Sequence, residues 1–275
     1  MEHSHKVGTR ELLIRTASGG AVVLAVLGGL YAGGMIWTTL VAIFALVSLA
    51  EFYMMVSRKY KVSKGIGFLT ATLIIFTAAE GIHPMSLILS LSFACFIVLF
   101  VEVFRRQLQG NSYAIWNMGG TISGILYIVM PWTFMILLRK LPSGELLLLV
   151  LFLSTWSCDV AAYLVGSRWG RTPLCDNVSP KKTWEGFIGG LAAALLAGVA
   201  VAYVLKMPPL PFLYVGLICG IPGQLSDLAE SVIKRESGVK DSGKAVPGHG
   251  GMLDRFDSVL VSSLLVYALF GVILR

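Results

Sequence analysis

The sequence predicts an all-α polytopic membrane protein of about nine transmembrane helices, with the N-terminus cytoplasmic and the C-terminus outside. Three observations carry that prediction. Of 275 residues, 56% are hydrophobic and only 13% are charged, against about 25% charged in a typical soluble domain. Apolar stretches of membrane-crossing length, about 17–25 residues each, recur from one end of the chain to the other. The basic residues between them alternate in number, the asymmetry that orients membrane helices. The net charge of +7 is therefore read as orientation, and no nucleic-acid partner is expected.

Residues 1–15 are polar and basic (Lys6, Arg10, Arg15), and the first apolar span runs about 16–34. A cleaved signal peptide is the rival reading of such a start, but the span is long for one and no A-x-A-like site follows. Further spans fall near 35–56, 66–83, 85–104, 118–138, 145–165, 185–205, 210–226 and 258–274. The third and eighth are short or interrupted by glycine and proline. With the N-terminus inside, eighteen of the twenty-two Lys and Arg lie on the cytoplasmic side. Only Arg139, Lys140, Lys206 and Arg275 fall outside. An error of one helix would reverse the bias downstream. Both large polar segments, 166–184 and 227–257, then face the cytoplasm. The compact length favours a bacterial plasma membrane.

The first half carries little chemistry. Glu51, Glu80 and Glu102 lie near predicted helix ends, where carboxylates reach water or pair with Lys and Arg. Gly28, Gly29, Gly33 and Gly34 suit helix packing or a turn. Tyr113 and Trp116 suit an interfacial anchor, and His83 precedes Pro84 in an external turn. Cys95, Cys158 and Cys219 read as small buried hydrophobes, and none of the four cysteines shows metal-ligand spacing. No internal repeat is visible, so the inverted-repeat signature of many transporters is missing.

The second half differs. Asp159 lies deep in the sixth span, where a lone carboxylate costs about 2.5–3.5 kcal/mol on insertion scales. It faces either a polar cavity or a structural hydrogen bond. Ser179-Pro180-Lys181-Lys182-Thr183-Trp184-Glu185 then places two lysines and hydroxyls at the mouth of a helix, which suits a phosphate-bearing ligand. Paired lysines at that position also serve as lipid-headgroup anchors. Six of the chain's fifteen acids fall in the run 227–257. Asp227, Glu230, Ser231 and Lys234 share one helical face by their i, i+3, i+4, i+7 spacing. Asp254, Asp257 and Ser258 repeat the first part of that spacing. Between them, Pro247-Gly248-His249-Gly250-Gly251 permits tight turns and close approach to a ligand. Two such carboxylate clusters brought together would make a hard oxygen site suited to Mg²⁺; a solvated loop with ordinary salt bridges is the plainer alternative.

At these residues the chain resembles a known family. Ser231-Val232-Ile233-Lys234-Arg235, then Lys240-Asp241, then Pro247 through Asp257 is similar to the C-terminal signature of the phosphatidate cytidylyltransferases, also called CDP-diglyceride synthetases. Ser179 through Gly186 resembles a second family segment, and Asp159 with Ala162-Tyr163 a looser third. The motifs cover about 154–258. The resemblance implies a dimeric membrane enzyme that converts CTP and phosphatidate to CDP-diacylglycerol and pyrophosphate with Mg²⁺; a second metal ion is left open. By motif the metal-binding aspartates fall on Asp227 and Asp254.

The implied reaction is direct attack of the lipid phosphate on the CTP α-phosphorus. Asp227, Asp254, Lys234, His249 and Asp159 are its expected catalytic residues, with a structural role in the glycine-rich turn equally open for His249. Ser179, Lys181, Lys182, Thr183, Glu185, Arg235, Lys240, Asp241, Arg255 and Asp257 are the expected substrate contacts. The chain accordingly divides into N-terminal transmembrane helices (1–110), middle transmembrane helices (111–165) and a C-terminal catalytic region with polar loops (166–275). The rivals are a CTP-dependent enzyme acting on another lipid phosphate or a polyprenol, and an ion-coupled transporter built around Asp159.

Overall fold

The computed structural model describes residues 9–81 and 85–274. Lys6, His83 and Arg275 lie outside them, as does the side chain of Arg10. Each of the nine predicted spans coincides with a helix: α1 (Thr9–Ala32), α2 (Gly34–Val56), α3 (Lys64–Glu80) and α4 (Met85–Gln109). Then follow α5 (Ala114–Arg139), α6 (Gly144–Trp169), α7 (Trp184–Leu205), α8 (Leu210–Glu236) and α9 (Leu253–Ile273). Eight are long and apolar enough to cross a membrane. The exception is α3, whose 17 residues sit at the lower limit for a crossing. Large apolar side chains such as Phe93, Phe96, Phe100 and Phe104 face outward on α4, as lipid contact requires. The protein is an integral membrane protein.

Local sequence explains the breaks. Gly33 and Gly34 adopt φ of 62° and 48°, a left-handed corner that separates α1 from α2. The eighth helix continues well past the predicted residue 226. Pro222 sits in a widened turn, Cys219–Gly223, which absorbs the missing N–H without ending the helix. The polar residues from Asp227 onward therefore extend a membrane helix.

The all-α expectation needs one correction. Strands β1 (Pro173–Cys175) and β2 (Ser179–Thr183) form an antiparallel hairpin between α6 and α7, pairing Pro173 with Thr183 and Cys175 with Ser179. Glu185, in the first turn of α7, holds its base. Its carboxylate accepts hydrogen bonds from Arg171 N and Thr172 N at 3.2 Å and from Thr172 Oγ1 at 3.0 Å.

The core is aromatic at its centre. Phe44 of α2, Trp132 of α5 and Phe256 of α9 lie within 4.9–5.7 Å of one another by ring centroids, edge-on or tilted as aromatic quadrupoles favour. Phe152 of α6 joins through Phe256 at 6.5 Å. Helices α6 and α7 form the most extensive pair. At Gly186 an added Cβ would stand 2.8 Å from Ala162 O, so small residues set that approach.

Candidate active site

Phe256 points into the core, and the residues beside it, Asp254 and Asp257, therefore turn the other way. They face a cavity of about 650 Å³. Helix α6 contributes Asp159 to its wall, β2 contributes Ser179, Lys181, Lys182 and Thr183, and α8 contributes Gln224, Asp227 and Lys234. Asp241, Asp254, Arg255, Asp257 and Ser258 complete the polar lining. Ala162, Tyr163, Leu174 and Phe187 form an apolar side. The two carboxylate clusters separated by nearly thirty residues of sequence do meet.

Two of the lining acids meet a third that is fully buried. Asp227, Glu230 and Asp257 each present an oxygen within 4.8 Å of the others. Three carboxylates so close repel strongly in a low-dielectric site unless cations answer them. Lys182 Nζ lies 2.5 Å from Asp227 Oδ2, a contact of charge without hydrogen-bond alignment. Lys234 Nζ bridges Glu230 Oε2 at 2.9 Å and Asp254 Oδ1 at 2.8 Å. Two ammonium groups thus reach three carboxylates and leave Asp257 without an ion pair among the described residues, and Glu230 Oε1 is buried with no hydrogen-bond partner among them. An oxygen-only donor set, excess negative charge and one orphaned buried oxygen fit a hard divalent cation.

The expected metal ligands Asp227 and Asp254 both line the cavity, and their surroundings differ. Asp254 lines the cavity, but its Oδ2 accepts from Ser242 N at 2.9 Å, Gly251 N at 2.8 Å and Ser242 Oγ at 2.9 Å. Its Oδ1 takes Lys234. The carboxylates that converge with Asp227 are those of Glu230 and Asp257.

Four expected residues lie off the cavity wall: Glu185, Arg235, Lys240 and His249. Glu185 ties the hairpin to α7. Arg235 Nε reaches Val178 O at 3.4 Å, also toward the hairpin, and Lys240 is exposed. His249 docks on α1, its Nδ1 2.9 Å from Ser18 Oγ, while Ser18 Oγ donates to Pro247 O at 2.7 Å. Burial, then the positive charges of Arg255 and Arg15, hold its imidazole below the ordinary histidine pKa. It is a neutral latch for the glycine-rich loop.

One carboxylate escaped the sequence reading. Glu51 of α2 neither reaches water nor pairs with a cation; it is 2% exposed. Its Oε1 accepts from Met252 N at 3.0 Å and its Oε2 from Leu253 N at 2.9 Å. The N-terminus of α9 is thus capped by another helix. A Cβ on Gly251 would stand 2.5 Å from Glu51 Oε2 and 1.9 Å from Ser242 Oγ, so only glycine fits there. A lone acid in an apolar run, the signal that singled out Asp159, is also present at Glu51. Glu102, by contrast, does pair with Arg105 at 3.3 Å.

Comparison with known proteins fits this site. The model of the family described as "Cytidylyltransferase family" matches residues 13–273. The chain belongs to the cytidylyltransferase family. Two relatives, both named phosphatidate cytidylyltransferase, come from Bacillus subtilis (strain 168) and Staphylococcus aureus (strain COL). The first is 34% identical over 84% of this chain and 88% of its own. The second is 34% identical over 90% of this chain and 94% of its own. A relative of the same name from Synechocystis is 45% identical over 131 residues, 47% of this chain and 44% of its own. The chain is accordingly a nucleotidyltransferase, and the family generally uses a divalent metal.

Proposed function

We infer that the protein transfers a cytidylyl group from CTP to phosphatidate, giving CDP-diacylglycerol and pyrophosphate for phospholipid synthesis. The observation that carries this reading is one cavity with an acidic, lysine-bearing wall for phosphates and an apolar side for a lipid. The printed names of the relatives agree with it.

An oxygen of the phosphatidate phosphate, anionic at neutral pH, bonds to the CTP α-phosphorus. The α–β phosphoanhydride bond breaks, and its electron pair leaves with pyrophosphate. No base and no covalent enzyme intermediate is needed, so positioning and charge stabilisation do the work. Lys181 and Arg255, which form no ion pair among the described residues, contact the phosphates. Lys182 and Lys234 are held in reach by Asp227, Glu230 and Asp254. Asp159 lines the same cavity and adds negative charge near Lys182. Asp227, Glu230 and Asp257 would hold a divalent cation, Mg²⁺ by the resemblance, which stabilises charge on the phosphates. Asp254 positions Lys234 and the 242–251 loop.

The arrangement in the cell belongs to the same proposal. All nine helices cross the membrane, with the N-terminus cytoplasmic, the C-terminus outside and the cavity open to cytoplasmic CTP. The membrane is a bacterial inner membrane and the enzyme a homodimer, as the resemblance implies. Residues 166–275 with Asp159 carry catalysis, and segments 1–110 and 111–165 support them. The test is transfer of label from CTP labelled on the α-phosphorus into the lipid phase of micelles containing phosphatidate and Mg²⁺. Labelled lipid that disappears with EDTA is expected. Its absence from folded protein, with label moving instead to another lipid phosphate, would overturn the choice of acceptor.

A further inference from the structure

We propose that a second pocket, sharing no residue with the catalytic cavity, binds the phosphate of an anionic lipid headgroup. It encloses about 400 Å³ between the turn that joins α2 to α3 and the start of α5. Arg58, Lys59 and Lys61 supply three cations, and Tyr60, Tyr113 and Trp116 supply the rings. No carboxylate lines it. The two acids beside it already have partners: Glu102 accepts from Tyr113 N at 2.7 Å and Asn117 Nδ2 at 2.6 Å and pairs with Arg105 Nε at 3.3 Å. Glu236 accepts from the Tyr60 hydroxyl. Arg58, Lys59 and Lys61 themselves form no ion pair among the described residues.

Basic residues beside a membrane helix ordinarily serve only as topology anchors. This turn is built more firmly than that role needs. Tyr60 stacks on Trp116 with ring centroids 5.1 Å apart and planes at 18°. Lys61 Nζ stands 5.3 Å from the centre of the Tyr113 ring, and the Arg105 guanidinium 6.0 Å from it. Ser63 N donates to Thr121 Oγ1 at 2.9 Å, fixing the turn to α5. The result is a concave, preorganised cluster of cations, none in an ion pair among the described residues, with an aromatic lining. Phosphate is the chemistry that such a cluster accepts. Aromatic rings beside cations at a membrane edge favour a lipid over a soluble source. The Tyr60–Glu236 bond places the pocket at the C-terminal end of α8, so it lies at the same end of the bundle as the catalytic residues.

The experiment counts phosphatidylglycerol molecules retained by the intact full-length protein, by native mass spectrometry from neutral-detergent micelles. Phosphatidate, CTP and divalent metal are omitted, so the result does not depend on the proposed reaction. Wild type is expected to retain one phosphatidylglycerol at low lipid ratio, with affinity about twentyfold above that of the double variant Arg58→Ala with Lys61→Ala. A control pair at exposed positions outside the pocket, Arg106→Ala with Lys244→Ala, is expected to bind as wild type does. Trp116→Leu, which removes a ring and no charge, is expected to weaken retention severalfold. A parallel arm offers inorganic phosphate in place of the lipid. Equal retention by wild type and the pocket double, or equal losses in the pocket and control doubles, would overturn the site. Inorganic phosphate retained by wild type as firmly as the lipid, and lost in the pocket double, would overturn the lipid source.

Discussion

Two groups of carboxylates stand within one helical turn of each other at the start of α9, and they are treated in opposite ways. Glu51 and Asp254 are saturated. Backbone N–H groups of Ser242, Gly251, Met252 and Leu253 fill them. Ser242 Oγ lies within 3.2 Å of Glu51 Oε2 and 2.9 Å of Asp254 Oδ2, serving one at a time with its single proton. Asp227, Glu230 and Asp257 crowd together with fewer donors than oxygens, and Glu230 Oε1 has none. Saturated carboxylates hold backbone in place, because their removal strands buried N–H groups. Under-satisfied ones store repulsion that a bound cation would relieve. Saturated and under-satisfied carboxylates thus stand only a few positions apart, at Asp254 and Asp257.

The sharpest way to break that comparison is Asp227→Asn. Cytidylyl transfer should fall by about a thousandfold, while the melting temperature holds or rises because one like charge is gone. Asp254→Asn supplies the contrast. It loses the Lys234 pair and part of the loop capping, so melting should fall, with turnover reduced about tenfold to a hundredfold. The Mg²⁺ concentration giving half-maximal rate should rise for Asp227→Asn and stay near wild type for Asp254→Asn. A rise in both would return Asp254 to the metal set and erase the distinction.

Most of this site was legible in the sequence because its signals are local. Acids spaced three and four apart on α8 and α9, lysines before α7 and a buried aspartate on α6 announce themselves in short windows. Eleven of the fifteen residues expected to act on substrate, namely Asp159, Ser179, Lys181, Lys182, Thr183, Asp227, Lys234, Asp241, Asp254, Arg255 and Asp257, line the cavity. What escaped depends on partners far along the chain. The hairpin is a backbone pairing among polar loop residues with no hydrophobic alternation to betray it. The cap on α9 comes from a residue about two hundred positions earlier, and no local pattern encodes it. His249 left a chemical and a structural role open, and its partner Ser18, on the first helix, lies too far along the chain to be read locally.

Glu51→Gln tests the saturated half. An amide keeps one acceptor oxygen and turns the other into a donor facing an N–H group, so one backbone donor at α9 loses its partner. The loss should be about 1–3 kcal/mol of stability, read as a lower melting temperature in micelles. Turnover per folded molecule should fall less than tenfold, since Glu51 does not line the cavity. A variant that melts as wild type does, yet loses transfer a hundredfold, would move Glu51 into the reactive group.

The smallest expected effect concerns a cation that neither group holds. Lys181 is exposed on β2 and forms no ion pair among the described residues, whereas its neighbour Lys182 is drawn to Asp227 at 2.5 Å. Removing an unpaired, solvated lysine costs the fold almost nothing. If Lys181 meets the CTP phosphates only once they arrive, Lys181→Ala should raise KM for CTP about threefold to tenfold and leave kcat within twofold. The change should shrink as salt is added, because an exposed charge is screened. A fall in kcat at unchanged KM would instead place Lys181 on charge that develops only in the transition state.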